Sequence, residues 1–301
     1  MRLNVLLNGI WVLAGLTVRE AIRRRVFLAG LVIAALYVGF SFLPLHIKPG
    51  FFIGLDIATA KNNTGRIFAW LGCGTIKFFG AILAVALSAG AITAEVDRGV
   101  LSVIVPKPIP RVAVYLGKWL GIVFLLAVCV AVWGGLLVLG IWKQTGTYHP
   151  RIWEGILAAG LFPLLFTTLT LCFSTFAGYA LSSSLALIAA GVALAEDLLH
   201  NLSLPTRLDV PLLDTLSKIA GYIVPLGRMN HWITHGLAAT GFTGPAPPES
   251  AGLDLSLIAA AGDPTQAAAA ATTSQGDLAY ILLYMAFFFG LGLLLFQRRD
   301  L

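Results

Sequence analysis

The stretch from Trp119 to Trp142 reads WLGIVFLLAVCVAVWGGLLVLGIW, and it decides the fold class. It holds no charged residue and opens and closes on tryptophan. At about 1.5 Å per helical residue it is long enough to cross a hydrocarbon core of about 30 Å, and its terminal indoles suit the headgroup regions. Five further apolar runs flank it: Val26–Leu45, Leu71–Ala94, Gly155–Ala180, Leu181–Ala195 and Leu278–Phe296. The run that opens at Leu181 reaches span length only if its helix continues through Glu196 and Asp197 to Leu199. The whole chain is 58% hydrophobic and 11% charged. A soluble domain carries about 25% charged residues, so soluble enzyme classes are excluded. The expected fold is an all-α polytopic membrane protein, a single transmembrane domain over 1–301. Its six transmembrane helices are expected near 26–45, 71–94, 119–142, 155–180, 181–199 and 278–296.

Charge placement orients these spans. With the amino terminus inside, the inner segments collect 11 of the 20 Lys and Arg residues against four acids, and the outer segments hold eight against ten. Lys and Arg resist translocation, so both termini are expected in the cytoplasm. The net charge of +6 is then an orientation signal, and no nucleic-acid partner is expected. Trp70 and Trp153 also fall at span ends, whereas Trp133 lies mid-span. Cys73, Cys129 and Cys172 all sit in apolar runs and read as small core residues. No A-x-A-like cleavage site follows the first apolar residues, so signal-peptide removal is not expected. Lys77 lies within the second run. A snorkelling side chain is one reading of it and a pathway-facing charge the other.

Residues 4–25 read as an amphipathic elbow helix along the inner headgroups, with Arg19 and Arg23 sharing a face and Val12, Leu13 and Leu16 turned toward lipid. On the outer side, 200–277 is a long extracytoplasmic segment. Leu212 to about 238 suggests short interfacial or re-entrant helices, and the Gly-, Pro- and Ala-rich part from Thr240 a flexible loop. His231 and His235 stand four apart, a weak metal signal without a third ligand. Glu196 and Asp197 close the fifth span, either as solvated helix-end carboxylates or as part of a substrate vestibule. No G-x-x-x-x-G-K-[ST], H-E-x-x-H or G-x-S-x-G occurs, so no catalytic residue, cofactor site or metal site is expected in this chain.

The segment Ala91–Gly121 reads AITAEVDRGVLSVIVPKPIPRVAVYLGKWLG. Its prolines at 106, 108 and 110 stop helical structure between the second and third spans. Charges and exposed apolar residues are interleaved there, which suits a docking surface better than a plain connection. This elbow resembles that of type-2 ABC exporter permeases, carried by Glu95, Gly99, Leu101, Lys107, Pro108, Arg111, Gly117 and Lys118. Val96, Val100 and Pro110 depart from the usual pattern. In overall look the chain also resembles permeases of nitrous-oxide-reductase maturation systems.

The resemblance implies six spans, outer re-entrant helices, and a coupling elbow over 95–118 that meets a separate ABC ATPase. Two ATPase copies, which bind ATP and Mg, and a second permease copy are the expected partners, in a bacterial or archaeal cytoplasmic (inner) membrane. The coupling contact is expected from Glu95, Asp97, Arg98, Gly99, Leu101, Lys107, Pro108, Arg111 and Lys118, with Arg19 and Arg23 of the elbow helix at its edge. Lys77, Glu196 and Asp197 are the candidates for the pathway. Two other classes compete with an exporter permease. An intramembrane enzyme would need convergent ionisable groups inside the spans. A structural or assembly subunit would keep the permease fold without transport.

Overall fold

The computed structural model describes residues 2–23, 27–28, 30–32, 36, 57–93, 110–146, 148–202, 215, 229, 232–233 and 264–298. Six helices run through them: α1 (Arg2–Arg23), α2 (Ile57–Ser88), α3 (Arg111–Thr145), α4 (Ile152–Phe176), α5 (Tyr179–Leu202) and α6 (Pro264–Arg298). There is no strand among the described residues. Four stretches are long and apolar enough to cross a membrane: Phe68–Ser88, Arg111–Thr145, Ile152–Phe176 and Gly276–Arg298. Tyr179–Val192 is a shorter apolar helix. The span expected at 26–45 and the outer helices expected after Leu212 lie almost wholly outside the described residues.

Helix ends follow local chemistry more than apolar content. α2 stops at Ser88, where a turn through 89–92 that contains Gly90 begins, so it is shorter than the apolar run ending at Ala94. α3 starts behind Pro110, whose extended backbone (φ −64°, ψ 140°) cannot continue a helix. It ends at Gly146, whose positive φ of 75° lets its N–H donate back to Trp142 O at 2.8 Å. Ala177 and Gly178 break the chain between α4 and α5, two residues before the expected turn. α6 begins at Pro264, upstream of the expected start at Leu278. Its alanine run extends the helix outward, because Ala has the highest helix propensity and Pro is tolerated in a first turn.

With 35 residues, α3 measures about 52 Å at 1.5 Å per residue, more than the bilayer needs. The interval from Trp119 to Trp142 fits the core, so residues 111–118 project beyond it. α4 is the central helix and is buried on nearly every side by α2, α3, α5 and α6. Its Pro163 is accommodated because α2 presents Gly80 there: a β carbon at Gly80 would stand 3.1 Å from Pro163 Cγ. Thr167 Oγ1 donates to the Pro163 carbonyl at 2.7 Å. The buried core joins α2, α3 and α4 and includes Cys73 and Cys129, and Cys172 is buried as well. Large apolar side chains such as Phe124, Val132, Leu157, Ile188, Leu283 and Phe287 stay exposed around the outside, as a lipid-facing surface requires.

Candidate coupling site at the Arg111 end of the bundle

Packing contacts fix which helix ends meet. α2 and α3 are antiparallel, since Gly72 lies against Leu137 and Ala91 against Lys118. α6 antiparallels α3 in turn, with Trp119 against Phe289 and Arg111 against Gln297. One end of the bundle therefore gathers the exit of α2, the start of α3, the end of α4, the start of α5 and the end of α6. Thr93 and Pro110, the described residues that flank 94–109, both lie at this end.

Two cations root that segment. Lys118 is 5% exposed, and its Nζ donates to the Ala91 carbonyl in the turn that ends α2. A helix carries partial negative charge at its carboxyl end, so a buried ammonium is stabilised there by dipole and hydrogen bond together. Arg111 repeats the arrangement at the end of α6, its Nη1 donating to Gln297 O at 3.1 Å. The Ala89–Thr93 turn is held from a third side. Ser182 Oγ of α5 donates to Ala89 O at 3.1 Å, and Thr93 Oγ1 reaches the same carbonyl at 3.2 Å. With Ile92 fully buried, this turn is a plug set into the bundle end.

The elbow helix α1 docks at the same level. Gly117 and Gly121 open a shallow face on α3 into which α1 settles. A β carbon at Gly117 would stand 2.7 Å from Leu13 Cβ, and one at Gly121 would stand 2.7 Å from Ala14 O. Ile10, Ala14 and Ala21 are buried along this contact. Small residues four apart allow such close approach of helix backbones. Leu13, expected to face lipid, packs on α3 instead, because that close approach draws its side of the helix inward. Val12 and Leu16 do stay exposed, next to Trp11, and Arg19 and Arg23 are exposed on the same broad face.

Of the expected coupling residues, Arg111 and Lys118 are thus brought together at this end. Glu95, Asp97, Arg98, Gly99, Leu101, Lys107 and Pro108 lie outside the described residues, as do His231 and His235. Glu196 and Asp197 lie on α5, with their side chains outside the described residues. Lys77 is elsewhere. It is the tenth residue of the Phe68–Ser88 span, and its ammonium stands 4.4 Å from the Phe162 ring centroid. The ring face offsets part of the cost of a charge in an apolar helix. Among the described residues, no three His, Cys, Asp or Glu side chains come together as a metal site.

Sequence reasoning missed Tyr115 and Gly292. Tyr115 is fully buried against Phe289 and Phe296, and Gly292 lies under its ring. The Gly117–Gly121 spacing was a readable signal for close helix packing, whereas a single glycine in an apolar helix was not.

An all-helical bundle of this kind, with apolar outer faces and a polar-keyed end, is that of a multi-pass membrane transport protein. The chain belongs to the ABC-2 transporter family: a family model described as ABC-2 family transporter protein matches residues 11–301. It is a membrane permease of the ABC-transporter type. No curated protein matches the chain.

Proposed function

We propose that the chain forms the translocation pathway of an ABC exporter and that a separate ATPase chain drives it from the Arg111 end. The observation that carries this reading is the rooting of 94–109. Its two flanks are tied to helix ends by Lys118 and Arg111, so displacement of the segment passes into α2, α3 and α6. A two-state arrangement of helices can be biased only through contacts stiff enough to transmit a load. In this reading Val100, Leu101 and Val103 enter an apolar cleft of the ATPase, and Glu95, Asp97, Arg98, Lys107 and Arg111 pair around its rim. Gly99 and Pro108 shape the elbow, and Arg19 and Arg23 form the second edge.

ATP and Mg belong to the partner, present in two copies beside two permease copies. The membrane is the cytoplasmic membrane of a bacterium or archaeon, with both termini inside. Lys77, Glu196 and Asp197 contribute to the pathway.

The test is affinity purification of the tagged permease from its native membrane, with hydrolysis measured on the captured complex. An ATPase chain should co-purify, and Glu95→Ala and Arg111→Ala should lower its docking or its permease-dependent hydrolysis while insertion is kept. Wild-type docking and hydrolysis in both variants would remove 95–118 from the coupling role. Capture without an ATPase would favour a non-transporting subunit.

A further inference from the structure

The last turns of α6 are fastened at one point to two other helices. A β carbon on Gly292 would stand 3.1 Å from Cys172 Cα on α4 and would collide with the Tyr115 hydroxyl on α3. Aromatic contacts continue the seam in both directions. Phe289 meets Tyr115 and Trp119 edge-on, with centroids 5.4 Å and 5.1 Å apart, and fully buried Phe296 lies 6.2 Å from Tyr115. Arg111 then holds the Gln297 carbonyl. Every turn of α6 from Phe289 to Gln297 therefore has a partner on α3. Further up the same helix, Leu282, Leu283 and Phe287 are exposed. α5 differs: from Tyr179 to Val192 it buries only Ser182 and Ala186.

We infer that α3, α4 and the carboxyl-terminal turns of α6 move as one body during the ATPase cycle, with Gly292 the contact that unites them. This rests on the docking proposed at the Arg111 end and extends it to α6. The reason is mechanical. Close-packed interiors have little compressibility and transmit strain, whereas a contact between flexible side-chain ends absorbs it. At Gly292 the contact is an α carbon against an aromatic side chain and a second backbone, with no flexible end between them. Among the described residues the Tyr115 hydroxyl meets no hydrogen-bond partner, so shape and not a polar bond holds the seam. Tyr115 and Gly292 are accordingly positioning residues, and displacement entering at Arg111 reaches α6 without passing through α5.

Two measurements decide this. First, Trp119→Cys and Phe289→Cys are joined by a short bis-methanethiosulfonate linker, in a background with Ala at the three native cysteines. One-body motion predicts that the linked complex in nanodiscs hydrolyses ATP at the unlinked rate. Hydrolysis that stops on linking and returns on thiol reduction would mean that α3 and α6 slide past each other, and the inference fails. Second, the melting temperature of the permease alone is compared for Gly292→Ala, Tyr115→Phe and the pair. Gly292→Ala should lower it by several degrees, Tyr115→Phe should leave it near wild type, and the pair should recover part of the loss. Strictly additive effects would show that the seam does not exist. Because the second measurement needs no ATPase, a complex without one overturns the proposed function and still leaves the seam to be judged.

Discussion

Half-way along the bundle the helices meet through glycines alone, whereas at the Arg111 end side chains that bond main-chain carbonyls are added to the glycine contacts of α1 and of Gly292. In the middle, Gly80 accommodates Pro163, Gly134 accommodates Ile156 and Gly160 accommodates Val130. The hydroxyls there bond within their own helix, as Thr167 and Thr168 do. At the Arg111 end, Lys118, Arg111 and Ser182 each bond a carbonyl of a different segment. The Ser88 and Thr170 hydroxyls, buried at this end, meet no hydrogen-bond partner among the described residues. Shape-locked contacts have one arrangement, because a rigid ring against a glycine cannot be re-formed elsewhere. Directional bonds can be exchanged for others, and spare donors supply the alternatives. Rigidity thus runs from the middle through the Gly292 seam, and only the turns around that seam form a re-bondable end, which suits a bundle that is worked from one side.

The largest expected effect comes from breaking the middle. Gly80→Leu forces a side chain into the Pro163 ring and should cost about 3 kcal/mol, read as lost yield and a lower melting temperature in detergent. Whatever folds should keep its ATPase contact, because the damage lies away from the Arg111 end. Lys118→Met is next. Losing a charged hydrogen bond and leaving the buried Ala91 carbonyl short of a donor should cost about 2 kcal/mol in the same melt. Unlike the Gly80 change, it should also loosen the 94–109 segment, seen as faster proteolysis there.

Gly121→Ala sharpens the comparison at the rim. Its new methyl group meets Ala14 O, so α1 must lift off α3, at a cost of about 1.5 kcal/mol. A Leu13→Cys reporter should become more reactive to a thiol reagent, and unchanged reactivity would mean that α1 is not seated on the glycines. Ser182→Ala should have the smallest effect, about 1 kcal/mol or less, because Ala89 O retains the Thr93 hydroxyl. A loss as large as that of Lys118→Met would show that Ser182 carries more than one bond's share of the plug.

The sequence made the helices legible and their partners only in part. The uncharged run between two tryptophans announced α3, and the prolines at 106, 108 and 110 placed its start. The charge pattern singled out Arg111 and Lys118, but charge alone suggested an outward docking role. Their turn toward the carboxyl ends of α6 and α2 depends on which helix ends are adjacent, and that is a tertiary fact. Lys77 shows the same limit. Its place in the apolar run was readable, but the Phe162 ring beneath its ammonium belongs to another helix. Gly292 was invisible, because nothing in an apolar helix marks the one position where two other helices press on the backbone.

The account's central claim is that the ATPase meets this protein at the re-bondable end. A photo-crosslinking phenylalanine derivative placed at Leu101, and separately at Tyr148 on the α3–α4 turn at the opposite end, tests it directly in native membranes. The account predicts that the Leu101 probe joins the permease to an ATPase chain on illumination and that the Tyr148 probe does not. An ATPase adduct from position 148 with none from 101 would contradict it.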